Sequence, residues 1–445
     1  MQKKIRFFFE YSAHYLRRYS LAIIGGICFG SIIFTQRNNL INFYLNFKTF
    51  NQNIGIEGLY TTQTLPLLIT SKLSYGFSSI SENDKATLSP IVSNLELKDN
   101  NQTYVFTFKN NLYWHDGKKL KASDIKLNIL GATISPISDN RLEIKVSSTF
   151  SPLLSILSAP LFADKTLTGL GEYQVNNLVY RDGYLKLLTL SSTKNKQTKV
   201  SYHFYNNSSD LLNAFKLGEV DEISTDILDD QLTSWPNIKV SQAISTQKYL
   251  GLFINTDKIS NKQLRQAIAY ATPKTNDKNS RCLGPISPSS WAYNPQIKEY
   301  RFNATRAKEL FEKNKIESLN LVITDRKLLP TAEKIKQSWE QVLGIKVNLS
   351  VQNQQINLSD YETLLTFGSI PSDPDQYSFW HSTQTSTNIT HLNNSRIDKL
   401  LENGRLSFDQ QERKSIYYDF QKFILEESPV VFLEFPTTYT ISRLK

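Results

Sequence analysis

Cysteine is nearly absent from the 445 residues, which contain only Cys28 and Cys282. Cys28 lies inside an apolar run that enters a membrane and cannot reach Cys282, so a disulfide framework is excluded. Histidine is equally thin: His14, His115, His203, His381 and His391 are scattered without the short spacings of metal ligands, which argues against a metalloenzyme. No nucleophile stands beside a base, and the chain has neither an internal repeat nor a low-complexity tract. Charged residues make up 21% against 12% aromatic, a balance that excludes a mainly disordered chain and predicts packed units. The length accommodates about two to three of them.

The charge that is present is uneven. Of a formal net +10, much precedes residue 20, where Lys3, Lys4, Arg6, Arg17 and Arg18 face only Glu10. The uncharged run "SLAIIGGICFGSIIFT", residues 20–35, follows. Positive charge on the cytoplasmic flank of a hydrophobic helix sets its orientation. Residues 1–19 therefore read as a cytoplasmic basic segment and 20–36 as one transmembrane helix, N-terminus inside. No small-x-small cleavage pattern follows, and Ile27, not a small residue, precedes Cys28. The reading is a retained single-pass anchor with the remainder of the chain extracytoplasmic, not a cleaved signal or a lipid-attachment site. With the N-terminal charge assigned to topology, nucleic-acid binding loses its main support.

From about residue 55, strand-like and helix-like stretches alternate, which points to α/β layers. In "TYVFTFKNNLYW", residues 103–114, Tyr104, Phe106 and Phe108 are two apart, the period of a half-buried strand. Asp116-Gly117 then reads as a hairpin turn, and Ser123 and Asp124 as the capped start of a helix. His115 and Asp116 have no catalytic partner nearby, so the segment reads as scaffold.

Downstream, residues 209–223 read as a helix with Leu211, Leu212 and Phe215 on one side, closed by Gly218 and followed by a short strand. Residues 248–271 run from an apolar strand through Asn255 into a helix carrying Leu264, Ala267, Ile268 and Ala271 at helical spacing. Residues 303–313 form a capped helix. Residues 330–343 start at Pro330, bury Ala332, Ile335, Trp339 and Val342, and stop at Gly344 before an alternating strand. Residues 409–428 open on Asp409 and Glu412, bury Ile416, Phe420, Phe423 and Ile424, and break at Pro429 into a buried strand, 430–435.

In this order the segments resemble the peptide- and nickel-binding family of extracellular solute-binding proteins that serve ABC importers. Its most specific stretch is carried by Tyr104, Phe106, Phe108, Trp114, His115, Asp116, Gly117, Ala122 and Asp124. Asn255 with Arg265, Gln266, Ala267 and Ile268, the helix 307–310, the strand 344–347 and the loop Asp373-Pro374-Asp375 agree in order and spacing. The resemblance implies a two-lobed periplasmic-binding-protein-like α/β fold (type II, cluster C) whose lobes close on a ligand. It implies a first lobe at 55–248 with a subdomain inserted near 65–165, a second lobe at 249–427, and a return strand to the first lobe at 428–445.

The resemblance also implies where a ligand is held. In relatives that bind free peptides, an aromatic, an Asp three residues later and an Asp-Pro pair occupy one loop. In "LLTFGSIPSDPDQYSFWHSTQ" these positions fall on Phe367, Ile370 and Asp373-Pro374. The carboxylate that would hold a peptide's ammonium is thus replaced by Ile370. Asp373 and Asp375 are the candidates to take over, or else are turn and helix-cap carboxylates. Gly368 and Ser369 offer backbone for an added strand, Leu59, Tyr60 and Thr61 meet the ligand from the first lobe, and Trp380 and Trp291 are cleft aromatics or packing residues. The expected function is a monomeric, anchored binding protein that captures oligopeptides and presents them to permease subunits, with no cofactor, no metal and no bond broken. The alternatives are a receptor or scaffold without a permease, binding a peptide, metal chelate, sugar or protein partner, and an enzyme using Asp373 and Asp375 as acid and base. The enzyme reading suffers because carboxylates two apart on a Pro-bearing loop seldom reach a bond-cleaving geometry.

Overall fold

The computed structural model describes residues 50–352 and 360–444, with isolated positions at 19, 20 and 36. The basic segment and nearly all of the apolar run, Cys28 included, lie outside the described residues. Among the described residues no helix is long and apolar enough to cross a membrane.

Two sheets organise the chain. The first has seven strands in the spatial order Ile238–Ile244, Thr437–Arg443, Glu222–Thr225, Phe50–Glu57, Thr198–Tyr205, Tyr184–Ser192 and Tyr173–Arg181. Period-2 alternation in Thr198–Tyr205 puts Val200, Tyr202 and Phe204 on one face, where they pack with Leu188, Leu190, Ile69 and Leu73. A separate cluster is built from the helix Ser208–Leu217, whose Leu211 and Phe215 meet Ile223 and Ile441. That helix starts where Asn207 accepts a hydrogen bond from Asp210 N and ends at Gly218, φ 81°.

The second sheet runs Lys346–Val351, Ser318–Ile323, Thr363–Ser369, Lys248–Ile254, Val430–Glu434. Its core takes Leu264, Ala267, Ile268 and Ala271 from the helix Lys262–Ala271, and Ala332, Ile335 and Trp339 from Leu329–Leu343, as their spacing predicts. The two sheets, each with its own core, make a two-lobed α/β fold. The C-terminal segment needs a correction: Val430–Glu434 edges the second sheet, and only Thr437–Arg443 returns to the first. Val430–Glu434 is apolar and buried, whereas Thr437–Arg443 is rich in β-branched residues and half-buried; both suit strands, and their partners, remote in sequence, decide between sheets.

A third unit sits within the first lobe: a four-stranded sheet, Val92–Lys98, Thr103–Phe108, Arg141–Val146 and Ala132–Ser138, over a core of Phe77, Tyr104, Phe106, Trp114, Leu142 and Ile144. Two expectations change here. Thr103–Phe108 is buried on both faces, because Val105 is as inaccessible as its neighbours Tyr104 and Phe106. The helix expected from Ser123 is a single 3₁₀ turn, Ala122–Asp124, since the Asp124 carboxylate bonds back to Lys121 N and the chain then extends.

His115 is a brace. Its Nδ1 accepts from Gly169 N at 3.2 Å, which leaves the proton on Nε2, donated to Gly171 O at 3.0 Å. Gly169 permits the approach, since a Cβ there would stand 2.1 Å from Leu73 O. Asp116 pairs only with exposed Lys118, and Gly117 has φ +84°, as the turn requires. His115→Ala is therefore expected to cost about 1–3 kcal/mol in stability by leaving two half-buried backbone groups unpaired, read by chemical denaturation, while ligand retention is unchanged.

Candidate ligand cleft

In the first lobe, Phe50–Glu57 runs parallel to Thr198–Tyr205 and Glu222–Thr225, so the carboxyl ends of the three strands lie together. In the second, Ser318–Ile323 runs parallel to Thr363–Ser369, and Thr324 Oγ1 lies 3.0 Å from Thr366 Oγ1. One side chain joins the two ends. Lys327 Nζ is 3.1 Å from Glu57 Oε1, 3.4 Å from Asp226 Oδ2 and 3.0 Å from Ser208 Oγ. Burial opposes the charge on Lys327, but the hydrogen bond to Glu57 and the charges of Asp226 and Glu57 outweigh it and raise its pKa. The carboxyl ends of parallel strands thus face each other across the lobes, the place where open α/β sheets hold ligands.

Leu59, Tyr60 and Thr61 follow directly on the first-lobe strand. Leu59 is 53% exposed and lines a pocket of about 580 Å³ with Tyr184, Asp210 and Asn213. Tyr60 packs its ring 5.3 Å from that of Phe204 and donates to Glu57 O at 3.1 Å. Its carbonyl already accepts from Leu185 N at 2.7 Å, and Thr61 N donates to Thr64 Oγ1 at 2.9 Å, so this backbone is engaged within the lobe.

On the opposite side, Phe367 is 44% exposed, with Lys248 Nζ 5.4 Å from its ring centroid. Gly368 lies against the Tyr249 ring so closely that a Cβ would stand 2.4 Å from it. Ser369 ends the strand, exposed, opposite Lys248. Ile370 is buried, and its N–H donates to Gln247 O at 2.7 Å. The position that would hold a ligand's ammonium is an apolar core side chain.

Both aspartates have arginine partners. Asp373 Oδ1 lies 2.7 Å from Arg413 Nη2, with the side chains 12% and 9% exposed, and Arg413 Nε donates to Gly404 O at 2.9 Å. Asp375 Oδ2 lies 2.8 Å from Arg405 Nη2, and the Arg405 guanidinium sits 3.8 Å over the Tyr377 ring. The carboxylates also serve local turns: Asp373 Oδ1 accepts from Asp375 N at 3.0 Å and Asp375 Oδ1 from Tyr377 N at 3.1 Å. Burial pushes the Asp373 carboxyl above the usual range, while Arg413 pulls the other way. Carboxylates engaged like this favour the turn-and-cap role over both the ammonium clamp and an acid–base pair.

Trp380 is buried in the second-lobe core, its Nε1 donating to Gln376 Oε1 at 3.1 Å. Trp291 is half-buried, edge-on to Tyr417 at 6.5 Å and 5.3 Å from the Arg413 guanidinium. It also lines a pocket of about 310 Å³ with Asn83, Gln410 and Lys414, where the inserted subdomain meets the second lobe. The structure therefore gathers Asp373, Asp375 and Trp291 around the arginines, and sets Phe367, Gly368 and Ser369 at the sheet end. Among the described residues no group of three or more His, Cys, Asp or Glu could hold a metal ion.

Sequence reasoning missed Lys327, Glu57, Asp226, Arg405 and Arg413. Arg413 carried a signal: it is a charged residue one turn before Tyr417 on the buried face of the helix Gln410–Glu427. Lys327 carried none, since its partner Glu57 is 270 residues away.

Residues 66–391 match the family model for bacterial extracellular solute-binding proteins, family 5. The chain is 23% identical over 425 residues to the probable D,D-dipeptide-binding periplasmic protein DdpA of Escherichia coli, covering 80% of each chain. Among solved structures it is similar to NikZ of Campylobacter jejuni in complex with Ni(L-His), with TM-score 0.73, 17% identity, and coverage of 89% of this chain and 94% of that one. It is likewise similar to the oligopeptide-binding protein AppA of Bacillus subtilis in complex with a nonapeptide, with TM-score 0.69, 16% identity, and coverage of 89% and 95%.

Proposed function

The chain belongs to the bacterial extracellular solute-binding proteins of family 5, and from that premise we propose that it captures oligopeptides between its lobes outside the cytoplasm and delivers them to an ABC importer. The apolar run 20–36 holds it at the membrane as a single-pass, monomeric anchor. The observation that carries the reading is the pairing of a half-exposed aromatic, Phe367, and the small backbone of Gly368 and Ser369 with a facing first-lobe edge that Lys327 already brings within ion-pair distance. Peptide-binding relatives such as DdpA and AppA support the ligand class. The chain acts by closure and breaks no bond: a ligand touching both lobes drives closure by its differential affinity for the closed state.

A receptor or scaffold that binds a peptide, chelate, sugar or protein without a permease is the second reading. It is favoured by one observation, the buried Ile370 where an ammonium would need a carboxylate.

Native mass spectrometry of the full chain, released from detergent and then gently denatured, tests both. The expected result is a spread of short co-purified peptides, with retention reduced about tenfold by Phe367→Ala, the loss of one aromatic contact. An empty protein showing no thermal shift with a peptide mixture sinks oligopeptide capture.

A further inference from the structure

The two lobes are joined by short crossings, residues 245–247 and 435–436, which bond to each other where Ser245 N donates to Pro436 O at 3.0 Å. So narrow a joint lets one lobe rotate against the other. The inserted subdomain is fastened differently. Its entry and exit chains pair along their length, through Leu161 N to Tyr75 O at 3.0 Å, Phe77 N to Leu157 O at 2.8 Å and Gly171 N to Leu73 O at 2.8 Å, and Leu73 is part of the first-lobe core. The subdomain therefore travels with the first lobe when the joint moves.

Its far side meets the second lobe at the end of the helix Ser395–Leu406. The last carbonyls of a helix have no partner within it, and the last turn frays without one. Here Ser151 of the subdomain supplies two donors: its N–H reaches Arg405 O at 2.8 Å and its Oγ reaches Gly404 O at 3.2 Å. Phe150 stands 5.4 Å from the Arg405 guanidinium, and Phe408, just past the helix, packs on the subdomain core beside Tyr104. The capped residue is also the one that grips the ligand loop. Arg405 Nε lies 3.0 Å and 2.9 Å from the two carboxylate oxygens of Asp375, Nη2 lies 2.8 Å from Oδ2, and the guanidinium covers the Tyr377 ring. Arg405 thus takes the subdomain's donor at its carbonyl and holds the loop that starts at Phe367 with its side chain.

We propose that Ser151 is a positioning residue: when the lobes close it caps the helix Ser395–Leu406, stiffens Arg405, and so orders the loop 367–377 against the ligand. The loop reaches its holding geometry only in the closed state, so a ligand that engages it favours closure through the subdomain as well as through the cleft. The proposal rests on the peptide-capture reading for the identity of the ligand alone, since the path from Ser151 through Arg405 to Asp375 lies within the chain itself. It gives the inserted subdomain a task in binding although none of its residues needs to touch the ligand.

The test is amide hydrogen exchange of the full chain, read at residues 372–377, together with the dissociation rate of a mixture of tetrapeptides. Ser151→Ala removes the Oγ donor, Ser151→Asp sets a carboxylate against the two carbonyls, and Ser151→Thr keeps both donors. Exchange in the loop is expected to rise about two- to tenfold in Ser151→Ala, the worth of one hydrogen bond, and further in Ser151→Asp, while Ser151→Thr matches the parent. Tetrapeptides should leave faster in the same order. Exchange in Thr103–Phe108, at the centre of the subdomain, stays constant throughout, which a general loss of subdomain structure would not allow. Ser289→Ala loosens a different contact of the same interface, Ser289 Oγ to Asp84 Oδ2 at 3.3 Å, and should leave the loop unchanged. Loop exchange that does not rise in Ser151→Ala or Ser151→Asp overturns the proposal, and so does a Ser289→Ala chain whose loop loosens as much as theirs. A loop that loosens in the Ser151 variants while no tetrapeptide binds the parent upholds the positioning role and removes peptide capture.

Discussion

Arg413→Met is expected to destabilise the second lobe by about 3–5 kcal/mol, because it strands the Asp373 carboxylate in a site from which water is nearly excluded. The loss should appear as a lower denaturation midpoint at unchanged slope. Asp373→Asn in the same chain should restore much of it, since the pair is then removed together. An exposed pair offers the contrast: Lys118→Ala, opposite Asp116 at 2.8 Å, should leave the denaturation midpoint unchanged, because solvent screens the pair. The experiment also separates two roles for Asp373. A ligand-binding carboxylate would lose affinity and keep its fold on Asp373→Asn, whereas the ion-paired carboxylate predicts a fold that weakens first. An Arg413→Met chain as stable as the parent would return Asp373 to the ligand.

The elements that sequence located best are those whose boundaries are local chemistry. Asn207, Asn261, Asn303 and Asp409 each accept a backbone hydrogen bond at a helix start, and Gly218 and Gly344 end helices at positive φ. Where the outcome depended on distant partners, reading failed by degrees. Nothing near Val105 says that both faces of its strand are covered, and nothing within 430–443 says which sheet the apolar Val430–Glu434 and the Thr-rich Thr437–Arg443 each join.

The site was legible in the same proportion. The family resemblance put Phe367 at the aromatic position of the ligand loop and Ile370 in place of a carboxylate; the structure has Phe367 exposed near the end of a strand and Ile370 buried. The aspartates could not be resolved, because an Asp-Pro-Asp turn reads alike whether an arginine or a ligand sits opposite. Arg405 and Arg413, 30 and 40 residues further on, supply the answer only in space. Trp380, which sequence leaves between a cleft aromatic and a packing residue, has its indole buried in the core.

Lys327→Glu is expected to hold the lobes apart, and the effect should exceed that of neutral Lys327→Gln. The neutral change removes a partly exposed ion pair worth about 0.2–1 kcal/mol. Reversal sets a third carboxylate against Glu57 and Asp226, so attraction becomes repulsion at the same distances. A combined change of about 1–3 kcal/mol shifts the closed-to-open ratio roughly five- to 150-fold, which small-angle scattering reads as a larger radius of gyration in the unliganded chain. Because the pair is partly exposed, high salt should move the unmodified protein in the same direction. The charge-swapped double variant Glu57→Lys, Lys327→Glu isolates the cause, since it restores attraction across the cleft with the residues exchanged. Recovery of the compact form assigns closure to this contact. A double variant as open as the single one would mean that Lys327 acts on its own loop, and that packing of the inserted subdomain on the second lobe, where Ser151 bonds Gly404 O and Arg405 O, sets the closed geometry instead.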